Sequence, residues 1–190
     1  MKIVGVGCGP GMLTAEAERV VAGASLIYGS ARAIALAREA ITPGCEVHEI
    51  ADYRGLRSLP DDAVVLSTGD PMLAGLGYLP GEVVPGISSF QVAFARLKVP
   101  LTKAAVVSAH GKDHATAVAT ARDEIVRGRV VFLIADPAFS VGALAAALPP
   151  ETRLAVCEDL GYPAERIAVG TAAEPPVPRG ELYVVVAGEF

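Results

Sequence analysis

Tryptophan is absent from this 190-residue chain, and aromatic residues as a class make up only 5% of it. Its core must therefore be built from Ala, Val, Leu and Ile, a composition suited to a buried, largely parallel sheet flanked by Ala-rich helices. No uninterrupted apolar run approaches the roughly 18 residues needed to cross a bilayer. The start, MKIVG, lacks the apolar stretch and cleavage site of a secretory leader. The expectation is a soluble, cytoplasmic protein without a membrane partner. Cysteine is also scarce. Cys8, Cys45 and Cys157 are odd in number and far apart, with no Cys-x-x-Cys, which argues against a disulfide framework and against a zinc site. Basic residues are thin as well: 16 Lys and Arg against 21 Asp and Glu leave a net charge of -5. They are scattered singly, so the positive field of a nucleic-acid binder is missing. A small-molecule ligand is the expectation that survives.

What the chain does have is an alternation of short apolar runs rich in Val, Ile and Leu with longer Ala-rich segments carrying charges at helical spacing. The pattern predicts strands at 2–6, 25–28, 46–50, 63–66 and 82–84, and helices at 13–22, 31–40, 71–79 and 89–97. After KVPLT, residues 98–102, the rhythm restarts. Strands are predicted at 104–108, 130–135, 153–157, 167–170 and 182–187, and helices at 114–127 and 141–148. Pro100 stands between a helical and a strand-like segment and reads as a connector. The expected fold is α/β: an N-terminal domain with a parallel sheet over residues 1–101, a C-terminal α/β domain over 102–190, and a ligand cleft between them.

Glycine clusters in VGVGCGPG, residues 4–11, between a predicted strand and helix. That is where a dinucleotide-binding loop would sit, but the spacing fails: from Gly5 the third small position falls on Pro10, and from Gly7 it falls on Met12. The second strand also ends in Tyr28-Gly29-Ser30, without the acidic residue that would hold a ribose. No Gly-Lys-Ser/Thr follows a glycine loop anywhere, which excludes a P-loop. The glycines make either a tight turn or a bare backbone against which a ligand packs.

Two more strand-to-helix junctions have related chemistry. In STGDP, residues 67–71, Asp70 and Pro71 suit a helix cap and first turn; in VVPGISS, residues 83–89, Pro85 and Gly86 make a turn and Ser88 or Ser89 caps the next helix. In an open parallel sheet all three junctions lie at the carboxyl edge, where ligands bind.

Taken in order, VGVGCGPGMLT, STGDPMLAG, VVPGISS, VVFLIAD and AVCEDLGYPAERIAVGT resemble the successive motifs of the tetrapyrrole methylases, two-domain enzymes that use S-adenosylmethionine on porphyrin and corrin rings. SAHGKD, residues 108–113, and EDLGYPAER, residues 158–166, resemble the branch that methylates carbon 5 of precorrin-7 or cobalt-precorrin-7 in cobalamin synthesis. The resemblance implies S-adenosylmethionine bound by Thr68, Gly69, Asp70, Leu73, Ser88 and Ser89, and covered by Ile134 and Leu160. In the first loop Cys8 takes the place the family usually gives to proline and Pro10 follows two later, so either supplies that contact; as a side chain, Cys8 reads equally as a small buried filler. The substrate carries acetates and propionates, for which His110 and Lys112 are the candidate partners, with Arg54 and Arg57 behind them. His110 and His114 have the spacing of a metal pair but no third ligand; any cobalt would arrive inside the substrate. The resemblance further implies a homodimer, and a separate carbon-15 methyltransferase/decarboxylase as partner. The alternatives are another methylation within the family, a dinucleotide-dependent oxidoreductase, and a noncatalytic scaffold.

Overall fold

The structure, a computed structural model, describes every residue except Lys112, and every side chain except those of Lys112 and Ala74. The substrate contact expected at Lys112 thus lies outside the described residues. The chain divides into two compact units, Met1–Ser89 and Phe90–Phe190.

The first unit contains β1 (Lys2–Gly5), α1 (Ala15–Ala22), β2 (Leu26–Gly29), α2 (Ala31–Ala37), β3 (Glu46–Glu49), β4 (Val64–Ser67), α3 (Pro71–Ala74) and β5 (Glu82–Val84). All five strands are parallel, in the order β3-β2-β4-β1-β5. One face of the sheet packs Val4, Ile27, Val64 and Leu66 against Ala17, Val21, Ala33 and Ala37 of α1 and α2. The opposite face packs Ile3 and Val65 against Leu56 and Leu79. Burial on both faces explains why β4 reads as an unbroken apolar run rather than an alternating one. Each helix starts on a side-chain cap: Thr14, Ser30 and Asp70 accept from Ala17, Ala33 and Met72 amides at 3.1, 3.2 and 2.7 Å.

The second unit holds nearly all of α4 (Ser89–Leu97), then β6 (Ala104–Ser108), α5 (His114–Val126), β7 (Val130–Ile134), α6 (Val141–Ala146), β8 (Arg153–Glu158), β9 (Arg166–Thr171) and β10 (Tyr183–Gly188). Its order is β6-β7-β10-β8-β9. Val107, Leu133, Val156 and Val185 pack with Ala117 and Ala121 of α5 and with Leu144 and Ala145 of α6. Phe132 is enclosed on the other side by Phe90 and Phe94 of α4, edge-to-face at 5.2 and 6.3 Å between ring centroids.

Four expectations change. The boundary falls at residues 89 and 90 rather than after Leu101, because the α4 phenylalanines pack on the second sheet; the chain beyond α4 stays tied to it by the Val99 amide on the Phe94 carbonyl, 2.9 Å. The largely parallel sheet that composition favours holds for the first unit only. In the second, β6 and β7 are parallel, while β10 runs antiparallel to β7 and β8, and β9 antiparallel to β8. Antiparallel strands need no helical crossover between them, so the segment after α6 folds without one. The helix predicted over 71–79 ends at Ala74, where a side chain on Gly75 would lie 2.3 Å from Ser67 Oγ and the Gly77 amide turns back to the Pro71 carbonyl at 3.0 Å. Two 3-10 turns, Tyr53–Ser58 and Leu101–Lys103, were outside the sequence pattern. Both arginines named as weaker substrate candidates lie in the first of these turns and are exposed; Arg57 covers the Tyr78 ring at 5.5 Å.

Candidate functional site

Parallel strands end on the same side, so the loops that follow β1, β4 and β5 meet at one edge of the first sheet. The backbone joins them directly. The Val6 amide donates to the Ser67 carbonyl at 3.0 Å, and Gly7 and Gly69 exchange two bonds, 3.3 and 2.8 Å. Asp70 completes the junction: Oδ1 accepts from the Met72 amide at 2.7 Å and Oδ2 from the Gly86 amide at 3.0 Å. One half-buried carboxylate therefore caps α3 and fastens the second loop to the third.

The glycines of this edge divide into two kinds. A Cβ on Gly5 would stand 2.6 Å from the Gly86 nitrogen, one on Gly86 2.2 Å from the Gly69 oxygen, and one on Gly7 2.5 Å from Met12 Cβ. These three are glycine because another part of the protein occupies the space. Gly69 differs. It adopts φ +70°, and the nearest atom to a Cβ there is Ser88 Cα at an ordinary contact distance of 3.8 Å, so this buried position calls for glycine through its backbone conformation rather than through a clash. Around it stand Thr68 and Ser89, both half-buried, the Asp70 carboxylate and the half-buried Leu73. Hydroxyls, a carboxylate and an apolar wall are compatible with the polar and adenine parts of an amino-acid nucleoside such as S-adenosylmethionine. In the neighbouring loop the Cys8 side chain is buried, with its thiol against Met12 Sδ at 3.6 Å, whereas Pro10 is exposed.

A second constellation lies at the end of the other sheet where β6, β7 and β8 finish and β10 begins. Ile134 ends β7, half-buried, its carbonyl accepting from the Ala109 amide at 2.9 Å. Two residues on, Asp136 Oδ2 accepts from the Gly111 amide at 3.0 Å and meets His114 Nε2 at 3.2 Å, while Oδ1 accepts from the Ala138 amide at 3.0 Å. The Gly111 amide, then the His114 contact, hold the Asp136 carboxyl below its ordinary pKa against the opposing effect of burial. Asp136 thus sets the loop that carries the exposed His110, and His114 serves that loop from the first turn of α5.

Glu158, the last residue of β8, is 2% exposed. Burial raises its pKa; the Arg179 and Gly180 amides and the Arg166 guanidinium outweigh that and leave it below the ordinary glutamate value. Beside it the chain turns through Asp159 at φ +47°, whose amide donates to the Leu182 carbonyl at 3.0 Å, and delivers the buried Leu160. Glu165 closes the turn, accepting from the Gly161 amide at 2.8 Å and pairing with Arg96 at 2.6 Å. Burial, then Glu165 and Glu158, push the Cys157 thiol up to about 12.

Thr68, Gly69, Asp70, Leu73, Ser88 and Ser89 therefore share one sheet edge with the Cys8–Pro10 loop, and His110, Ile134 and Leu160 share an edge of the other sheet. Asp136 and Glu158 went unassigned by sequence reasoning. Each stands within two residues of a strand end, inside a motif already singled out, and that position is the signal that could have found them.

This arrangement goes with a defined class. Residues 2–176 match the Tetrapyrrole (Corrin/Porphyrin) Methylases, and the chain belongs to that family of methyltransferases. A probable cobalt-precorrin-7 C(5)-methyltransferase of Methanocaldococcus jannaschii is 28% identical over 89% of this chain and 89% of its own length. A decarboxylating precorrin-6Y C(5,15)-methyltransferase of Mycobacterium tuberculosis is 31% identical over 96% of the chain, which spans only 50% of that protein; the Sinorhizobium counterpart is covered to 45%. Among solved structures, a precorrin-6Y methylase of cobalamin biosynthesis from Archaeoglobus fulgidus aligns over 100% of this chain and 97% of its own, with TM-score 0.78 and 30% identity. Family membership sets aside the dinucleotide-dependent oxidoreductase.

Proposed function

We propose that this chain transfers a methyl group from S-adenosylmethionine to carbon 5 of precorrin-7 or cobalt-precorrin-7 in cobalamin biosynthesis. The observation that supports this reading is the match to the probable cobalt-precorrin-7 C(5)-methyltransferase of Methanocaldococcus over 89% of both chains.

When bound, S-adenosylmethionine supplies a methyl group already activated by its sulfonium, so the protein's share is binding and alignment. In this reading Thr68, Ser88 and Ser89 offer hydroxyls to the cofactor's polar groups, Asp70 accepts from its hydroxyls or ammonium, and Gly69, without a side chain, lets the cofactor pack against backbone. Leu73, Ile134 and Leu160 supply the apolar surfaces for the adenosine. Either Cys8 or Pro10 makes the first-loop contact. His110 and Lys112 are the candidate partners of the substrate's carboxylates. Holding the reacting carbon in line with the methyl and sulfur can account for roughly 7 to 11 kcal/mol of a barrier, which is why the chemistry needs no nucleophilic triad. The same reading includes a homodimer in the cytoplasm and a partner carrying the carbon-15 methylation and decarboxylation.

The test is incubation with methyl-labelled S-adenosylmethionine and, separately, precorrin-7, cobalt-precorrin-7 and uroporphyrinogen III. Label in carbon 5 of the corrinoid is the expected result; turnover of uroporphyrinogen III alone would overturn it.

A further inference from the structure

Arg32 is the second residue of α2, directly after β2 and its Ser30 cap. β2 is parallel to β4 and beside it, with Gly29 opposite Leu66, so Arg32 stands at the same sheet edge as the Thr68–Asp70 loop. The residue is half-buried, and its Nε is shielded from solvent with no hydrogen-bonding partner among the described residues. It is the one buried side-chain nitrogen or oxygen left so among them. Everything else buried and polar at this edge has its complement.

A guanidinium keeps its charge at any pH a protein experiences, and its donors form a planar fork matched to a carboxylate. Leaving a buried guanidinium N–H without an acceptor destabilises the fold, so the Nε of Arg32 points to an acceptor that arrives with a ligand. The sequence around it narrows the choice of anion. The segments after β1, β4 and β5, residues 6–14, 68–75 and 85–89, contain no Lys or Arg. In the strand order β3-β2-β4-β1-β5, the three cofactor loops occupy β4, β1 and β5, and Arg32 flanks them on the β2 side. It lies outside the set that would hold the nucleoside, on the side left for a second ligand.

From this geometry we infer that Arg32 binds a carboxylate of the tetrapyrrole, one of the acetate or propionate arms of the macrocycle. The assignment rests on the proposed reading of the site as a tetrapyrrole methylase and adds a residue that orients the ring. S-adenosylmethionine also carries a carboxylate, and the experiment separates the two sources.

Arg32→Gln and Arg32→Lys are compared with the wild type in four measurements: KM and kcat with precorrin-7, affinity for uroporphyrin III by fluorescence quenching, affinity for S-adenosylhomocysteine by calorimetry, and thermal midpoint. In Arg32→Gln, KM and the uroporphyrin dissociation constant should each rise about tenfold or more, the loss expected of one charge-assisted pair. S-adenosylhomocysteine affinity and thermal midpoint should hold or improve, and Arg32→Lys should recover part of the loss. Unchanged tetrapyrrole affinity and KM in Arg32→Gln would overturn the inference, whether or not the midpoint falls. So would a loss confined to S-adenosylhomocysteine. A wild type that binds uroporphyrin through Arg32 yet leaves precorrin-7 unmethylated would sink the carbon-5 reading and keep the inference. A wild type that methylates precorrin-7 no better than Arg32→Gln would do the reverse, and one that binds no tetrapyrrole would remove both.

Discussion

Asp70 has two oxygens on two loops, and substitution separates what each does. Asp70→Ala removes the α3 cap, worth about 1 kcal/mol, and leaves the Gly86 amide without its acceptor, about 1–3 kcal/mol more. Denaturant unfolding should show the combined loss, and methyl transfer should disappear. Asp70→Asn keeps an acceptor for Met72 but points an amide at the Gly86 donor or gives up that contact, so its stability should fall between the two. Glu158 makes a pH-dependent contribution whose direction follows from its lowered pKa. A carboxyl depressed in the folded state stabilises fully above the unfolded value, about 4.3 for glutamate, and the benefit is lost as pH falls through the lower folded value. The stability gap between wild type and Glu158→Gln should hold steady from neutral pH down to that range and then close as the solution becomes more acid. Measuring denaturation midpoints across pH 3–7 checks the sign. Thiol chemistry offers a separate probe: Cys157 is buried and held protonated, so alkylation followed by mass spectrometry should leave it unmodified until the protein is denatured, whereas half-buried Cys45 should label first.

Among the elements, the three loops at the first sheet's carboxyl edge behave as one piece. Gly86→Ala drives a methyl to 2.2 Å from the Gly69 oxygen and 2.8 Å from Gly5 Cα. Overpacking of this kind costs about 1–3 kcal/mol or more, and the prediction is lost stability together with lost S-adenosylhomocysteine binding in calorimetry. The reason for the glycines could not be read from the letters. VGVGCGPG presented a tight turn or a bare ligand-facing backbone, and the structure assigns Gly5 and Gly86 to packing between loops, Gly7 to a positive-φ turn against Met12 of its own loop, and Gly69 to its positive φ. Helix α4 teaches a related lesson. Its limits, Ser89–Leu97, followed from a local pattern, but its allegiance depended on Phe90 and Phe94 meeting Phe132 about forty residues away. The helix predicted through residue 79 stopped at Ala74, where the chain bends so that the Leu76 amide reaches Ser67 Oγ at 3.5 Å and the Gly77 amide returns to the Pro71 carbonyl at 3.0 Å.

For the molecule as a whole, any ligand that binds only the folded state stabilises it by mass action. S-adenosylhomocysteine at 100 times its dissociation constant should add about 2.7 kcal/mol to the cooperative unit containing its site. A thermal midpoint that rises with S-adenosylhomocysteine but not with NADH is the expected observation. An unaltered midpoint at saturating concentrations would remove the cofactor assignment for this chain.

Element positions, the α/β alternation and family membership are present in the order of the residues, because helix caps, apolar periodicity and motif spacing act over a few neighbours at a time. The candidate cofactor loops were legible for the same reason: Asp70-Pro71 and Pro85-Gly86 are local turn chemistry. Which strands lie beside one another, the antiparallel course of β10 and the unit to which α4 belongs were decided by long-range packing. So were the reach of Asp70 to an amide sixteen positions away and the unpaired nitrogen of Arg32. Such features depend on which distant surfaces exclude water together, and no short window of sequence contains both partners.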